Sequence, residues 1–298
     1  MKYGLITIDT PSSNRGNRLI EWALKRVLDL PEPSVIAPMF APLTDEAVEQ
    51  MNECDFVLLA GSTILADAAG NSDAMRSLHR LTVPVFCASG SGWAPYAAYL
   101  PYEVLRHITA PIGVRDPHAL AYCEGIGLRA EMVGCPTAYV EEVEQVEGTY
   151  DSIVVLGYGR TNLDWQRNLF SQIHNVSQVI VGIQEQAFEL PLAKEDGLAA
   201  FSYDCGETVY KMFSWCSRIF TGRLHGALPA MSQRLPVCFF GDKEDSRFSL
   251  LKHLGVPVHP MQGDIPKPTH PREYKEPLAK MKASFLSWAS RTIGQDST

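Results

Sequence analysis

The apolar residues of this chain fall into short continuous runs that alternate with amphipathic stretches, and this alternation restricts the fold more than any other feature. The runs YGLITI (3–8), DFVLLAG (55–61) and VPVFCAS (83–89) are separated by helical patterns such as RLIEWALKRVL (18–28). Continuous apolar runs between amphipathic helices are typical of a parallel sheet that helices cover on both faces. The sequence therefore predicts an α/β fold.

The alternation restarts after an acidic, polar stretch, EEVEQVEGTYD, at residues 141–151. This stretch contains no apolar β-type run, as is typical of a linker between domains. We predict an N-terminal Rossmann-like domain over residues 1–142 and a C-terminal Rossmann-like domain over residues 150–275, both with mostly parallel sheets. The remaining residues, 276–298, hold a last amphipathic helix that fits against either domain.

Composition and charge exclude several classes of protein. With 46% hydrophobic and 20% charged residues, the chain has the composition of a globular protein. Its net charge of -8 gives no general attraction to nucleic acid, so any anion site requires a local cluster of cations. No apolar stretch approaches the roughly 18 residues of a membrane span, and the N-terminus lacks a secretory signal. We expect a cytoplasmic protein without a nucleic-acid partner or a membrane span.

The seven cysteines are odd in number, scattered and without a CxxC pair. This pattern favours neither a disulfide framework nor a zinc site. Buried thiols in a reducing compartment fit the pattern best.

Polar residues follow the ends of four predicted strands. In parallel sheets of this kind, ligands bind at the carboxyl ends of the strands, where helix N-termini present free N–H groups to anions. The residues are Asn14, Gly16 and Asn17 after the first strand, Gly61 and Ser62 after DFVLLA, Arg115 and Asp116 after PIGV, and Arg223 and His225 after RIFTG.

Each of these places also has a structural explanation that needs no ligand. A helix cap explains SSNRGNR, a tight turn explains GST, and an ion pair at a helix start explains VRDP. RLHG can be a helix start with a buried core histidine, although an arginine and a histidine are unusual residues there. Lys243, after the run VCFFG, is by itself explained by a solvated loop.

Taken together, these segments resemble the polysaccharide pyruvyl transferase family, over nearly the full chain. The most specific part is TGRLHGALPAM (221–231) followed by RLPVCFFGDK (234–243). The segments IGVRDPHALAYCEGIG (112–127) and SNRGNRLIEWAL (13–24) add to the likeness. The resemblance implies two Rossmann-like domains in a GT-B-like arrangement, with the acceptor on the N-terminal domain and the donor on the C-terminal one. It also implies an enzyme that transfers a pyruvyl group from phosphoenolpyruvate to a pair of sugar hydroxyls, as a ketal, on a polysaccharide or its lipid-linked precursor.

The resemblance also implies roles for individual residues. Phosphoenolpyruvate carries a phosphate and a carboxylate close together, so its pocket needs several cations, and the planar fork of arginine fits both groups. A histidine can transfer a proton or contact the phosphate, and Asp116 can orient Arg115 or act as a base. The predicted catalytic residues are His225, Arg223 and Asp116, and the predicted substrate-binding residues are Arg115, Arg160, Lys243, Asn14, Gly16, Asn17, Gly61 and Ser62. This scheme needs no metal and no cofactor beyond the donor.

Two other functions fit the same architecture. A GT-B glycosyltransferase that uses a nucleotide sugar would bind its nucleotide at a helix N-terminus of the second domain. A non-catalytic sugar-phosphate-binding protein would keep the fold and the anion site without turnover. A dinucleotide oxidoreductase fits least, because SSNRGNR stands where G-x-G-x-x-G would follow the first strand.

Overall fold

Two parallel β-sheets, one from each half of the chain, organise the structure. The computed structural model describes residues 1–7, 16–67, 73–144, 150–155, 163–174, 179–183, 191, 194–197, 199–202 and 206–294. Residues up to 144 are called the N-terminal half below, and residues from 150 onward the C-terminal half.

The N-terminal half is a parallel sheet with helices between its strands. Its strands are β1 (Tyr3–Thr7), β2 (Val35–Pro38), β3 (Phe56–Leu59), β4 (Ala66–Asp67), β5 (Val85–Cys87), β6 (Ala98–Tyr99), β7 (Ile112–Val114) and β8 (Ala130–Met132). Its helices are α1 (Gly16–Val27), α2 (Asp45–Asn52), α3 (Asp73–Arg76), α4 (Tyr102–Leu105) and α5 (Pro117–Gly125), with 3₁₀ turns at Leu78–Arg80 and Pro136–Ala138. The sheet order is β2-β1-β3-β5, and a parallel bridge from Gly90 to Val114 joins β5 to the β7-β8 pair.

The C-terminal half is also a parallel sheet. Its strands are β9 (Tyr150–Val155), β10 (Val179–Ile183), β11 (Ala200–Ser202), β12 (Cys216–Thr221), β13 (Val237–Phe240) and β14 (Val258–His259). Its helices are α6 (Leu163–His174), α7 (Gly206–Ser214), α8 (Leu224–Ser232), α9 (Ser249–His253) and α10 (Pro271–Ile293), with a 3₁₀ turn at Ser246–Phe248. The strand order β11-β10-β9-β12-β13-β14 is that of a doubly wound Rossmann fold. The order reverses between β9 and β12, so a crevice opens at the carboxyl ends of these two strands.

The strands form where the sequence is continuously apolar. Every residue of β1, β3 and β13 is buried, as expected for strands that are covered on both faces. The predicted α/β fold with mostly parallel sheets is thereby confirmed. The short antiparallel pair formed by β4 and β6 was not predicted.

The last helix, α10, contacts both halves. It begins at His270 with a capping box and ends at Gly294, which has a positive φ of 67°. Its Trp288 Nε1 donates to the carbonyl oxygen of Pro111 at 2.8 Å, and its Tyr274 hydroxyl donates to the carbonyl oxygen of Leu235. The sequence left open which domain this helix packs on, and the structure places it against the two together.

The halves share other contacts besides α10. The buried hydroxyl of Tyr210 donates to the carbonyl oxygen of Thr137 at 2.7 Å, and one apolar cluster extends from Leu5 and Leu24 to Leu228. The predicted linker is only partly described, since residues 145–149 lie outside the described ranges. The predicted domain boundaries at 142 and 150 stay a prediction.

Two further features bear on the classes of protein considered above. Six of the seven cysteines are described, and all six are buried and free: Cys54, Cys87, Cys123, Cys135, Cys216 and Cys238. Within the described ranges, no helix has both the length and the apolar composition that crossing a bilayer requires.

Candidate functional site

Arg223 and His225 lie at the crevice of the C-terminal sheet. Arg223 lies two residues after the end of β12 and is the N-cap of α8, and its backbone N–H donates to Thr221 Oγ1 at 3.0 Å. The first N–H groups of a helix have no partner within the helix, and the helix dipole makes this end positive. The Arg223 side chain itself makes no capping hydrogen bond to the described residues of α8. The start of α8 is therefore suited to an anion that takes the place of a cap.

Arg115 and Asp116 lie at the carboxyl end of β7, where α5 begins. Asp116 is fully buried and caps α5: its Oδ1 accepts from the backbone N–H of Ala119 at 3.0 Å. Its Oδ2 accepts from Ser91 Oγ at 2.6 Å. Because both oxygens are engaged, Asp116 is placed as a structural anchor for this turn.

Arg115 is a buried guanidinium whose hydrogen-bonding capacity is only partly used. Its side chain is 2% exposed, and its Nε lies 3.9 Å from Asp116 Oδ2. Among the described residues, its Nε and Nη2 have no hydrogen-bond partner. Buried donors without acceptors are unfavourable, so in native proteins a ligand, an ion or an ordered water supplies the acceptor. Arg115 therefore marks a second position for an anion.

The two strand ends are near enough to each other that charges from both act on His225. Burial of the imidazole, together with the charges of Arg115, Arg223 and Arg247, lowers the pKa of His225 to about 3. The charges of three arginines from separate segments of the chain thus act on one histidine, and we call Arg115, Arg223 and Arg247 the arginine cluster. The Nε2 atom of His225 is buried and has no hydrogen-bond partner among the described residues. At neutral pH this histidine is uncharged in the unliganded protein.

Sequence reasoning missed Arg247. It lies in the 3₁₀ turn after β13, and its guanidinium stands 4.8 Å from the ring centroid of Trp93 in the N-terminal half. Asp245 binds its Nε and Nη2. The available signal was a second basic residue in the loop that holds Lys243, with an aspartate two positions before it.

Gly61 and Ser62 form a buried turn beside the site. Both have positive φ, 86° and 73°, and a Cβ on Gly61 would lie 2.7 Å from the carbonyl oxygen of Ala88. The carbonyl oxygen of Ser62 accepts from the backbone N–H of Ser91 at 2.8 Å. The turn therefore supports the segment whose Ser91 side chain holds Asp116.

The other predicted site residues are less closely tied to the cluster. Lys243 is exposed. The pKa of His259 is lowered mainly by the burial of that histidine and secondly by the charge of Lys243. Gly16 begins α1, and the Asn17 side chain is not among those described. Asn14 and Arg160 lie outside the described residues. The roles of these five residues stay predictions.

The fold defines a class of proteins with two Rossmann-like sheets in a GT-B arrangement. The S. aureus protein MnaA, in a structure with UDP, has a TM-score of 0.59 and 11% sequence identity, over 100% of this chain and 98% of that chain. The UDP-N-acetylglucosamine 2-epimerase from Rickettsia bellii has a TM-score of 0.51 and 14% identity, over 99% of this chain and 100% of that chain. At such identities the likeness concerns the fold alone, and it confirms the predicted GT-B-like arrangement. No curated protein matches the chain.

The family follows from the sequence itself. The family model described as polysaccharide pyruvyl transferase matches residues 8–244, which is most of the chain. The chain belongs to the polysaccharide pyruvyl transferase family, as its motifs predicted. It is accordingly a transferase of a family that modifies polysaccharides.

Proposed function

We propose that this protein transfers the pyruvyl group of phosphoenolpyruvate to two hydroxyls of a saccharide and so forms a cyclic ketal. Family membership supports the pyruvyl transfer. The observation that carries the choice of donor is the arginine cluster acting on His225, with buried polar atoms on Arg115 and His225 that have no partner among the described residues. A small molecule with two anionic groups matches this arrangement.

The donor phosphate is assigned to the start of α8. There it would accept from the first N–H groups of the helix and from Arg223, and it would lie next to His225. Arg115 would donate its free Nε and Nη2 to the same donor from the N-terminal half. Binding would then use groups from both halves of the chain.

The reaction can be written with all atoms accounted for. A proton adds to the methylene carbon of phosphoenolpyruvate, and the cation formed at C2 is attacked by one sugar hydroxyl, which loses its proton. The bond between C2 and the phosphate oxygen then breaks, with the electron pair leaving on phosphate. The second hydroxyl attacks C2 and loses its proton, so the products are the ketal and inorganic phosphate.

His225 and Asp116 have different roles in this scheme. His225 is neutral before the donor binds, and the charge of a bound phosphate offsets that of the arginines, which allows the imidazole to take up a proton. His225 would therefore contact the phosphate and act as a proton carrier only in the complex. Asp116, with both oxygens engaged, would position Arg115 and not act as the base.

Under this proposal the acceptor is a saccharide, free or lipid-linked, and the reaction takes place in the cytoplasm, where phosphoenolpyruvate is available. The donor is the only small molecule required besides the acceptor. The arginine cluster offsets the negative charge of the donor, so the scheme uses no metal.

The proposal is tested by binding and turnover with the full-length protein. Calorimetry should detect phosphoenolpyruvate binding, and incubation with oligosaccharides that offer neighbouring hydroxyl pairs should release phosphate and give a product heavier by one pyruvyl ketal in mass spectrometry.

The S. aureus relative in fold was determined with UDP, which favours a nucleotide-sugar donor as the second candidate. Binding of a UDP-sugar without binding of phosphoenolpyruvate would decide for that candidate. Phosphoenolpyruvate binding without turnover on any acceptor would indicate a non-catalytic binding protein.

A further inference from the structure

Arg247 belongs to the C-terminal half but is supported by the N-terminal half. The backbone N–H of Ser246 donates to the carbonyl oxygen of Ala94 at 2.9 Å, and the Arg247 guanidinium covers one face of Trp93. Trp93 lies two residues after Ser91, whose hydroxyl binds Asp116 beside Arg115. The contact with Trp93 therefore brings Arg247 to the turn that holds Arg115.

The orientation of this guanidinium is fixed on two sides. Asp245 is 3% exposed and accepts from Arg247 Nε at 3.0 Å and from Nη2, while Cζ of Arg247 lies over the Trp93 ring, 4.8 Å from its centroid. Stacking of an arginine on an aromatic face is favourable and leaves its edges free for hydrogen bonds. Nη1 donates to none of the described residues, and the side chain is 33% exposed. The free edge of Arg247 is thus pre-positioned and accessible to a ligand.

The ion pair with Asp245 indicates which kind of anion the free edge of the Arg247 guanidinium would bind. Asp245 offsets part of the charge of Arg247, so the group offers directed hydrogen bonds with less net positive charge than an unpaired arginine. The start of α8, where the helix dipole adds to Arg223, is better suited to the doubly charged phosphate. A singly charged carboxylate is the better match for the free edge of Arg247.

Resting on the proposed function, we infer that Arg247, and not Lys243, binds the carboxylate of phosphoenolpyruvate. Lys243 is exposed, its charge acts on His259, and its backbone carbonyl oxygen accepts a hydrogen bond from Lys252 Nζ. Both residues follow β13, and the fold turns only Arg247 toward Trp93 and Arg115. Arg247 is therefore a specificity-determining residue for the carboxylate of the donor.

The test compares two ligands that differ by the carboxylate. Calorimetry measures the dissociation constants of phosphoenolpyruvate and of inorganic phosphate for the wild type, for Arg247→Met and for Lys243→Met. Methionine keeps an apolar side chain over Trp93 and removes the guanidinium group. We expect Arg247→Met to weaken phosphoenolpyruvate binding by about 10- to 100-fold, as loss of a charged hydrogen bond implies, and to leave phosphate binding within about twofold. Lys243→Met should change neither constant.

A second variant keeps the test decisive if Arg247→Met does not fold. If Arg247→Met leaves Asp245 as an unpaired buried charge and unfolds, the double variant Asp245→Asn with Arg247→Met removes that charge and should show the same selective loss. Wild-type affinity for phosphoenolpyruvate in a folded Arg247 variant, an equal loss for both ligands, or a selective loss in Lys243→Met would overturn this inference alone. Absence of phosphoenolpyruvate binding by the wild type would overturn the proposed function together with it.

Discussion

At the scale of single residues, the environment of His225 predicts a pH dependence of stability. Folding lowers its pKa from 6.5 to about 3. The larger cause is burial of the imidazole, and the second is repulsion from the arginine charges. The unfolded chain therefore binds more protons than the folded protein between these two pH values, and the free energy of unfolding decreases as the pH falls through that window. Above pH 6.5 this residue contributes no such dependence.

Replacement of His225 by glutamine should remove this contribution. We expect the stability of His225→Gln to fall less steeply than that of the wild type between pH 6.5 and 4, by up to about 1.4 kcal/mol per pH unit. Urea unfolding of both proteins at pH 7, 5.5 and 4 measures the difference. Parallel losses in the two proteins would show that His225 is not the buried neutral group described above.

Two substitutions of Asp116 distinguish a positioning role of its carboxylate from a role in proton transfer. Asparagine can still cap α5 and bond to Ser91, so Asp116→Asn should lower kcat by less than about tenfold. It should also be more stable than Asp116→Ala, although both variants lose the charge beside the buried Arg115. Asp116→Ala loses the cap and should be less stable by about 1–3 kcal/mol. Steady-state kinetics and urea unfolding test both variants. Loss of activity in a folded Asp116→Asn protein would instead identify the carboxylate as a base.

At the scale of local elements, the turn at Gly61 connects backbone geometry to the site. Gly61→Ala would place a Cβ 2.7 Å from a backbone oxygen, whereas Gly127→Ala, at a similar φ of 82°, would meet nothing within 4 Å. Both variants bear the strain of positive φ, about 1 kcal/mol, but only Gly61→Ala adds a clash of about 1–3 kcal/mol. Urea unfolding should rank them in that order. Equal losses would contradict the close approach at Gly61.

The elements also show what the sequence can and cannot predict. The α/β alternation and the positions of Arg115, Arg223 and His225 at strand ends follow from local patterns, because the carboxyl ends of parallel strands face one side. Arg247 was missed because its place depends on contact with Trp93, a residue distant in the chain. The contacts of α10 with both halves were equally beyond local patterns, since an amphipathic helix has no preference that identifies its partner.

At the scale of the whole molecule, α10 and the shared apolar cluster predict cooperative unfolding. Trp288 is fully buried and bonded to Pro111, so Trp288→Ala should lower the unfolding free energy by about 3–5 kcal/mol, while the exposed Ser284→Ala on the same helix should have little effect. Hydrogen exchange of peptides from β3 and β13 during urea unfolding should report a single transition for both halves. Two separate transitions would show that the halves are energetically independent.

The attachment of α10 has a consequence for how a ligand is received. One end of the helix is fastened next to the strand that carries Arg115, through Trp288 and Pro111, and the other end is fastened at Leu235, just before β13 and the loop with Arg247. The distance between Arg115 and Arg247, which belong to opposite halves of the chain, is thus set by folding before any ligand binds. A receptor with its spacing set in advance loses little conformational entropy on association, so more of the interaction energy remains as affinity.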